Sequence, residues 1–397
     1  MLFVLKPTSS CNGACVYCSA WKEDPEDRHR MSQGDLEQLL GRIGEWAASA
    51  RPSRLSLLWH GGEPLMMGKA FFRRALYLGR ELAQSRGLEL RHLMQSNITL
   101  VDEEWASLLG ELLEGRRIGS SFDPFPGVRL LRGGGDYEAE WRRGYGILRA
   151  AGIRVGVVCV VHRGHLGRAG ELLEAFLDMG YDGGLRLNPL YAAGLAALDH
   201  SLHITPEEWG DFLWELWGAW NRLGRPLRVD PLQSWDRMAR GEPTRLACAF
   251  SGHCTEGFTG VRADGAVFSC GRSMDSDLAQ FGNLFEEPLQ KILGCETRRA
   301  LLNRTAWLRQ HECSGCRWWV FCHGGCPNDA LLAHGDPLRP TGFCQGRRSF
   351  LERAFGAAAA AGLGEAGPAP DCGDYLFDVG GEGQGGAGET APGVEDD

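Results

Sequence analysis

The chain has 397 residues, 43% hydrophobic and 23% charged, enough for two packed domains and a tail. Its formal net charge of −9 sits at one end: from Gly356 onward there are nine Asp and Glu and no Lys or Arg, while the first 355 residues balance at 42 basic and 42 acidic side chains. No basic stripe invites nucleic acid and no apolar run approaches the roughly 20 residues that span a bilayer, so neither partner is expected.

The opening Leu2 to Lys6 reads as a buried strand, too short for a signal-peptide core, and a cytoplasmic location is expected. Ser32 caps a helix whose apolar positions, Leu36, Leu39, Leu40, Ile43 and Trp46, share one face. Residues 54–60 read as a strand, 69–86 as a helix and 89–95 as a strand. A helix from Asp102 then carries Trp105, Leu108, Leu109, Leu112 and Leu113 on its apolar side. Residues 117–122 are the next strand and 137–151 the next helix. The Val-rich stretch 153–161 suits a strand buried on both faces. A helix over 166–179, a strand over 185–190 and a helix from Thr205 complete the series. In that last helix Trp209, Trp214, Trp217 and Trp220 are spaced for packing on a core.

Six strand–helix units in order imply an α/β fold, a partial (β/α)6 barrel with right-handed crossovers. Chemistry in such folds gathers at the C-terminal ends of the strands. There stand the Cys11 cluster after strand one, Gly61, Gly62 and Glu63 after strand two, and Ser96 and Asn97 after strand three. Ser121 and Asp123 follow strand four, and Asn188 ends strand six. His60 and His162 also end strands, and read first as hydrogen-bonded structural histidines. Beyond about residue 245 the texture changes. Residues 257–270 read as a hairpin turning at Asp264–Gly265, 287–303 as one helix, and the remainder as loop-rich and cysteine-dense. The expected division is a core over 1–225, a linker over 226–247, a small domain over 248–355, and an acidic Gly/Ala-rich tail over 356–397 expected to be largely disordered.

Most of the 14 cysteines gather in tight spacings at both ends, a pattern that in a chain this large binds metal more often than it forms disulfides. Cys11, Cys15 and Cys18 in one loop can hold three irons of a 4Fe–4S cubane and leave the fourth open to a small molecule. A zinc loop is the alternative from spacing alone. Cys248, Cys254, Cys270, Cys313, Cys316, Cys322, Cys326 and Cys344 supply eight thiols, enough for two fully ligated clusters or for a pair of zinc sites. Cys159 reads as a small core hydrophobe, Cys295 as a helix or helix-end residue, and Cys372 as a bland tail thiol. Trp318 and Trp319, between cluster-type cysteines, read as shields against solvent.

Cys-x3-Cys-x2-Cys with Tyr17 before its last cysteine resembles the signature of the radical S-adenosylmethionine (SAM) superfamily. The resemblance implies that methionyl groups chelate the open iron and that sulfonium cleavage yields a 5′-deoxyadenosyl radical. It places Tyr17 near the adenine, and Gly61-Gly62-Glu63-Pro64 as the motif receiving the methionyl ammonium. Ser96, Asn97, Ser121 and Asp123 stand where relatives contact ribose and carboxylate. The C-terminal cysteine order resembles the SPASM auxiliary domain of peptide- and protein-modifying enzymes, which makes the small domain an iron–sulfur domain. Carried over, Cys248, Cys254, Cys270 and Cys326 hold an inner cluster, and Cys313, Cys316, Cys322 and Cys344 an outer one, for three 4Fe–4S clusters in all.

The resemblance leads to oxidative crosslinking of a ribosomally made peptide carrying a leader, with a separate leader-binding protein and a flavodoxin- or ferredoxin-type reductant as partners. The alternative is anaerobic sulfatase maturation, in which Cys or Ser becomes formylglycine. Those enzymes carry an Asp, thought to be the base, directly after the third inner ligand, where this chain has Gly271. Asp275 and Asp277 are close in sequence but out of register. A zinc scaffold without catalysis is the reading from another class, and the three-thiol loop argues against it. The tail's Tyr375, Leu376 and Phe377 raise the idea of a segment acting in cis.

Overall fold

Helix caps and apolar stripes set the alternation that builds the sheet. The computed structural model describes residues 1–21 and 29–360, with side chains to position 357. The expected disorder of the tail, Cys372 and the segment 375–377 lie outside the described residues. Strands β1 (Leu2–Lys6), β2 (Arg54–Trp59), β3 (Glu89–Ser96), β4 (Arg117–Ser121), β5 (Arg154–Val161) and β6 (Gly184–Pro189) pair in sequence order, each parallel to the next. Helices α1 (Gln33–Ala50), α2 (Lys69–Arg86), α3 (Glu103–Leu112), α4 (Tyr137–Ala150) and α5 (Ala169–Asp178) make the crossovers. Ser32 forms a capping box with Asp35, and Asp102 and Asp136 cap α3 and α4. Each cap satisfies amides that would otherwise face water unbonded.

The inner core is aromatic as well as aliphatic. Trp141 stacks on Phe122 at 4.4 Å and donates its indole N–H to Ser120 Oγ at 2.9 Å. Trp209 and Trp220 of the helix Pro206–Arg222 are buried, but Trp214 is 38% exposed, on the side away from the barrel, where Arg353 stacks on it.

Two strands lie beyond the six read from the sequence. After the helix Pro206–Arg222, β7 (Arg228–Asp230) pairs parallel with β6. Strand β8 (Phe258–Arg262) pairs parallel with β1, and the hairpin continues through β9 (Ala266–Phe268) to β10 (Gln280–Asn283). The sheet order is therefore β10-β9-β8-β1-β2-β3-β4-β5-β6-β7, and the cysteine-dense region is welded to the barrel through β1. The single helix expected over 287–303 is two, Leu289–Leu293 and Glu296–Gln310. The break falls where Gly294 ends the first and the Cys295 thiol accepts from Arg298 N to start the second. The helix Cys344–Ala360 runs past Gly356 and packs along Pro206–Arg222.

Candidate active site

The loop after β1 folds over the strand ends and is pinned by the loops after β2 and β3. Gly62 N donates to Thr8 O and Glu63 N to Ser10 O, both at 2.9 Å. A Cβ on Gly61 (φ +133°) would strike Thr8 O, and one on Gly62 would strike Ser10 O, so only glycines let these loops touch. Cys11, Cys15 and Cys18 face one another across this loop, and Gly13 N donates to Cys11 Sγ at 3.2 Å.

Burial, aided by Glu63, pushes the Cys11 thiol up to about 12; burial and the neighbouring Cys15 push Cys18 up to about 11. Three such thiols would not ionise together without a cation among them. This donor set fits an iron cluster that supplies the missing positive charge. Glu63 is fully buried and accepts from Leu65 N, Ser96 Oγ and Asn97 N at 3.0, 2.7 and 2.7 Å. Burial still pushes its carboxyl up to about 7, despite those three bonds. Asn97 Nδ2 reaches Asn12 Oδ1 at 2.8 Å and Cys11 Sγ at 3.9 Å, tying the third loop to the thiols.

A second polar group sits at the tops of β4 and β5. Asp123 accepts from Val160 N at 2.8 Å, from Arg129 Nε at 2.6 Å, and from the Tyr17 hydroxyl. Arg129 also lies 5.5 Å from the Tyr17 ring centre, and Tyr17 is 5.9 Å from the His162 ring. Asp123, Cys159 and His165 bring ligand atoms within 4.8 Å of one another, which looks like a metal site. Their hydrogen bonds oppose that. His165 Nδ1 accepts from His162 N, so its Nε2 carries the proton toward Cys159 Sγ at 3.8 Å, while Arg129 and Tyr17 hold the carboxylate. Ser121 Oγ turns aside to accept from Gln95 at 3.1 Å.

The C-terminal thiols fall into two sets. Cys254 feels Cys248, Cys326 and Cys270 as its thiol neighbours, and Cys313 feels Cys322, Cys344 and Cys316. Burial first, then those neighbours, lifts the Cys254 and Cys313 thiols, so both sets fit cationic clusters as the first does. Outer groups are in place: Asn328 Nδ2 donates to Cys270 Sγ at 3.2 Å, and Arg272 bridges Asp329 at 3.0 Å and Cys326 at 4.0 Å. Buried Arg304 holds Gly325 O, Gly324 O and Arg339 O at 2.8, 3.1 and 2.8 Å, and also the Pro337 carbonyl. Trp318 is buried beside these loops.

The two candidate bases part company. The helix Gly271–Ser276 starts at Cys270 and returns over the first site, where the Asp275 carboxylate meets Lys6 Nζ and accepts from Ser19 Oγ at 3.0 Å. Asp277 ends that helix in a left-handed turn, 52% exposed, and pairs with Arg262 at 2.6 Å. It points away from the first site. His60, near Lys6 and Asp275, accepts from Gly61 N at 2.7 Å, and burial lowers it to about 4, so it stays neutral. Sequence reading missed Lys6, Ser19, Asn12 and Arg129. Lys6 alone had a signal: a lysine ending an apolar strand at the barrel's functional face.

Residues 5–178 match the Radical SAM superfamily, and residues 253–317 match the SPASM iron-sulfur cluster-binding domain. The chain is a radical SAM enzyme with a SPASM domain, and its cofactors are S-adenosylmethionine and 4Fe–4S clusters. Within that class it is similar to anaerobic sulfatase maturases. A serine-type anaerobic sulfatase-maturating enzyme of Klebsiella aerogenes is 27% identical over 334 residues, covering 82% of this chain and 79% of the relative. A cysteine-type enzyme of Clostridium perfringens is 23% identical over 365 residues, covering 89% and 95%. The fold matches a solved structure of native anSMEcpe with bound AdoMet and Cp18Cys peptide at a TM-score of 0.74, with 22% identity over 91% of this chain and 98% of that one. Streptococcus suis SuiB bound to precursor peptide SuiA matches at 0.58, with 14% identity over 87% and 75%.

Proposed function

We propose that this enzyme oxidises a Ser or Cys side chain of a sulfatase-type polypeptide to formylglycine. The observation that carries the reading is Asp275. Relatives of this class carry their Asp where this chain has Gly271, and positions 271 and 275 lie one turn apart in the helix Gly271–Ser276. A carboxylate lost at the first position is thus supplied on the same helical face at the second. The maturase names of relatives matching over four fifths of the chain favour this reading over a peptide crosslink.

The oxidation removes a hydrogen atom from the side-chain Cβ, a proton from its oxygen or sulfur, and one electron. Bound SAM and clusters supply the 5′-deoxyadenosyl radical that takes the hydrogen atom and an iron–sulfur acceptor for the electron. Asp275 takes the proton. Lys6 Nζ bridges the Asp275 carboxylate and Gly271 O, the latter at 3.0 Å, and so fixes the base against β1. Cys11, Cys15 and Cys18 hold the catalytic cluster, the two C-terminal sets hold the auxiliary clusters, and Tyr17, Gly61, Gly62, Glu63, Ser96, Asn97, Ser121 and Asp123 shape the SAM pocket. The buried Asp123–Arg129 pair keeps Tyr17 in place there.

The test is the mass of sulfatase-motif peptides, one with Ser and one with Cys, after anaerobic turnover. Loss of two hydrogens from Ser, or exchange of the Cys thiol for a carbonyl oxygen, mapped to that residue by fragmentation, is the expected result. Unmodified peptides beside vigorous SAM cleavage would sink the proposal.

A further inference from the structure

The N-terminal end of the barrel, opposite the thiols, is floored with arginine. Strands β2, β4, β5 and β7 each begin with one: Arg54, Arg117, Arg154 and Arg228. Side chains alternate along a strand, so residues two apart share a face. Arg117 and Arg154 stand two residues before Gly119 and Gly156, which line a cavity of about 320 Å³ together with Gln95, Arg186 and Arg228. Arg91 stands four before Gln95, and Arg54 four before Leu58, which packs with Leu93 and Val4 on that same face. All these arginines therefore point into the lower mouth of the barrel. Glycines 119, 156 and 184 are neighbours across β4, β5 and β6, and their missing side chains make the hollow.

Arg117 and Arg154 are direct cross-strand partners, an arrangement that like charges disfavour. On this floor the carboxylates are Glu89, bonded to Arg54 and Arg91 at 2.6 Å each, and Asp230, bonded to Arg186 at 3.1 Å. Arg237 and Arg245 stand at the cavity's rim. The excess positive charge calls for an anionic polymer, whose successive carboxylates can answer several arginines at once.

One such polymer is delivered to the spot. Gly346 of the helix Cys344–Ala360 meets Pro206 and Gly210 at the start of the helix Pro206–Arg222, and Phe355 meets Trp217 further along at 5.3 Å. The two helices are parallel. Pro206–Arg222 descends from the top of β6 to the foot of β7, so Cys344–Ala360 also ends at the arginine floor. The chain continues from there through residues 361–397, which hold nine Asp and Glu and no Lys or Arg. Extended, such a segment reaches on the order of 100 Å, more than enough to cross the mouth.

We infer that the arginine floor is a docking surface for acidic polypeptide and that its occupant is the chain's own segment 365–397. The full-length protein with Arg117→Lys and Arg154→Lys keeps the charge and makes both positions reactive toward zero-length carbodiimide coupling. Cross-links from positions 117 and 154 to Asp or Glu within 365–397 are expected. They should be independent of protein concentration and fall roughly tenfold when salt is raised toward 1 M. A labelled peptide of residues 365–397 supplies the second measurement. It should bind at least about tenfold more tightly to a full-length chain whose nine tail carboxylates are replaced by amides than to the wild type, because the wild-type floor is already occupied. Absence of the cross-links, equal peptide binding by both chains, or cross-links formed only to an added substrate peptide would each overturn the inference.

Discussion

The barrel and the cysteine-dense region are held together by different physics, although one sheet runs through both. In the barrel the ordering comes from apolar burial: Trp59, Trp141, Phe72, Phe122 and Phe176 are all fully buried, each contributing about 1.5–3 kcal/mol. Past β10 only short helices and turns remain, and one buried arginine, Arg304, is bonded to four backbone carbonyls. There the eight thiols crowd at a density that burial alone would oppose. The barrel should therefore fold on its own side chains, while the thiol-rich loops need their metal to neutralise them.

That contrast breaks most visibly on iron removal. Anaerobic chelation is expected to raise hydrogen exchange in residues 313–344 by on the order of 100-fold while β2 to β5 stay protected; equal loss in both would refute the contrast. Next in size, Trp141→Ala should lower barrel stability by about 3–5 kcal/mol in denaturant titrations and leave the iron content of the folded protein unchanged. His92 tests the barrel by pH. Burial, with Arg80 nearby, lowers it to about 4, and it accepts from Trp59 Nε1 at 3.1 Å. Between pH 6.5 and 4 the unfolded chain binds this proton and the native one does not. Stability is thus full above the unfolded value and falls by about 3 kcal/mol as pH drops through that window. His92→Gln should flatten that slope. The smallest effect is at an outer group: Asn328→Leu removes the donor to Cys270 Sγ and should speed iron loss to a chelator about tenfold, with the barrel unaffected.

Periodicity and caps made β1 to β6 and their helices readable, because each is long and one-faced. The three residues of β7 are too few to show a period, and the β8–β1 pairing joins positions more than 250 apart that no local pattern links. The helix break at Gly294–Cys295 was written in the residues, but a cysteine is an unusual cap. At the site, spacing announced the thiols and Gly61–Glu63. Lys6, Ser19 and Asp275 meet only because β8 lies on β1 and swings the helix after Cys270 over the first loop. A base displaced by one turn is invisible to register counting along a chain, and plain once the helix is seen.

The most direct measurement compares Asp275→Asn with the wild type in one anaerobic assay that follows both 5′-deoxyadenosine and formylglycine. With Asp275 as base, SAM cleavage stays near wild type while product falls by about 10²–10⁴-fold, with partial recovery in Asp275→Glu. Product formed by Asp275→Asn at the wild-type rate would contradict the account and assign the proton to another group.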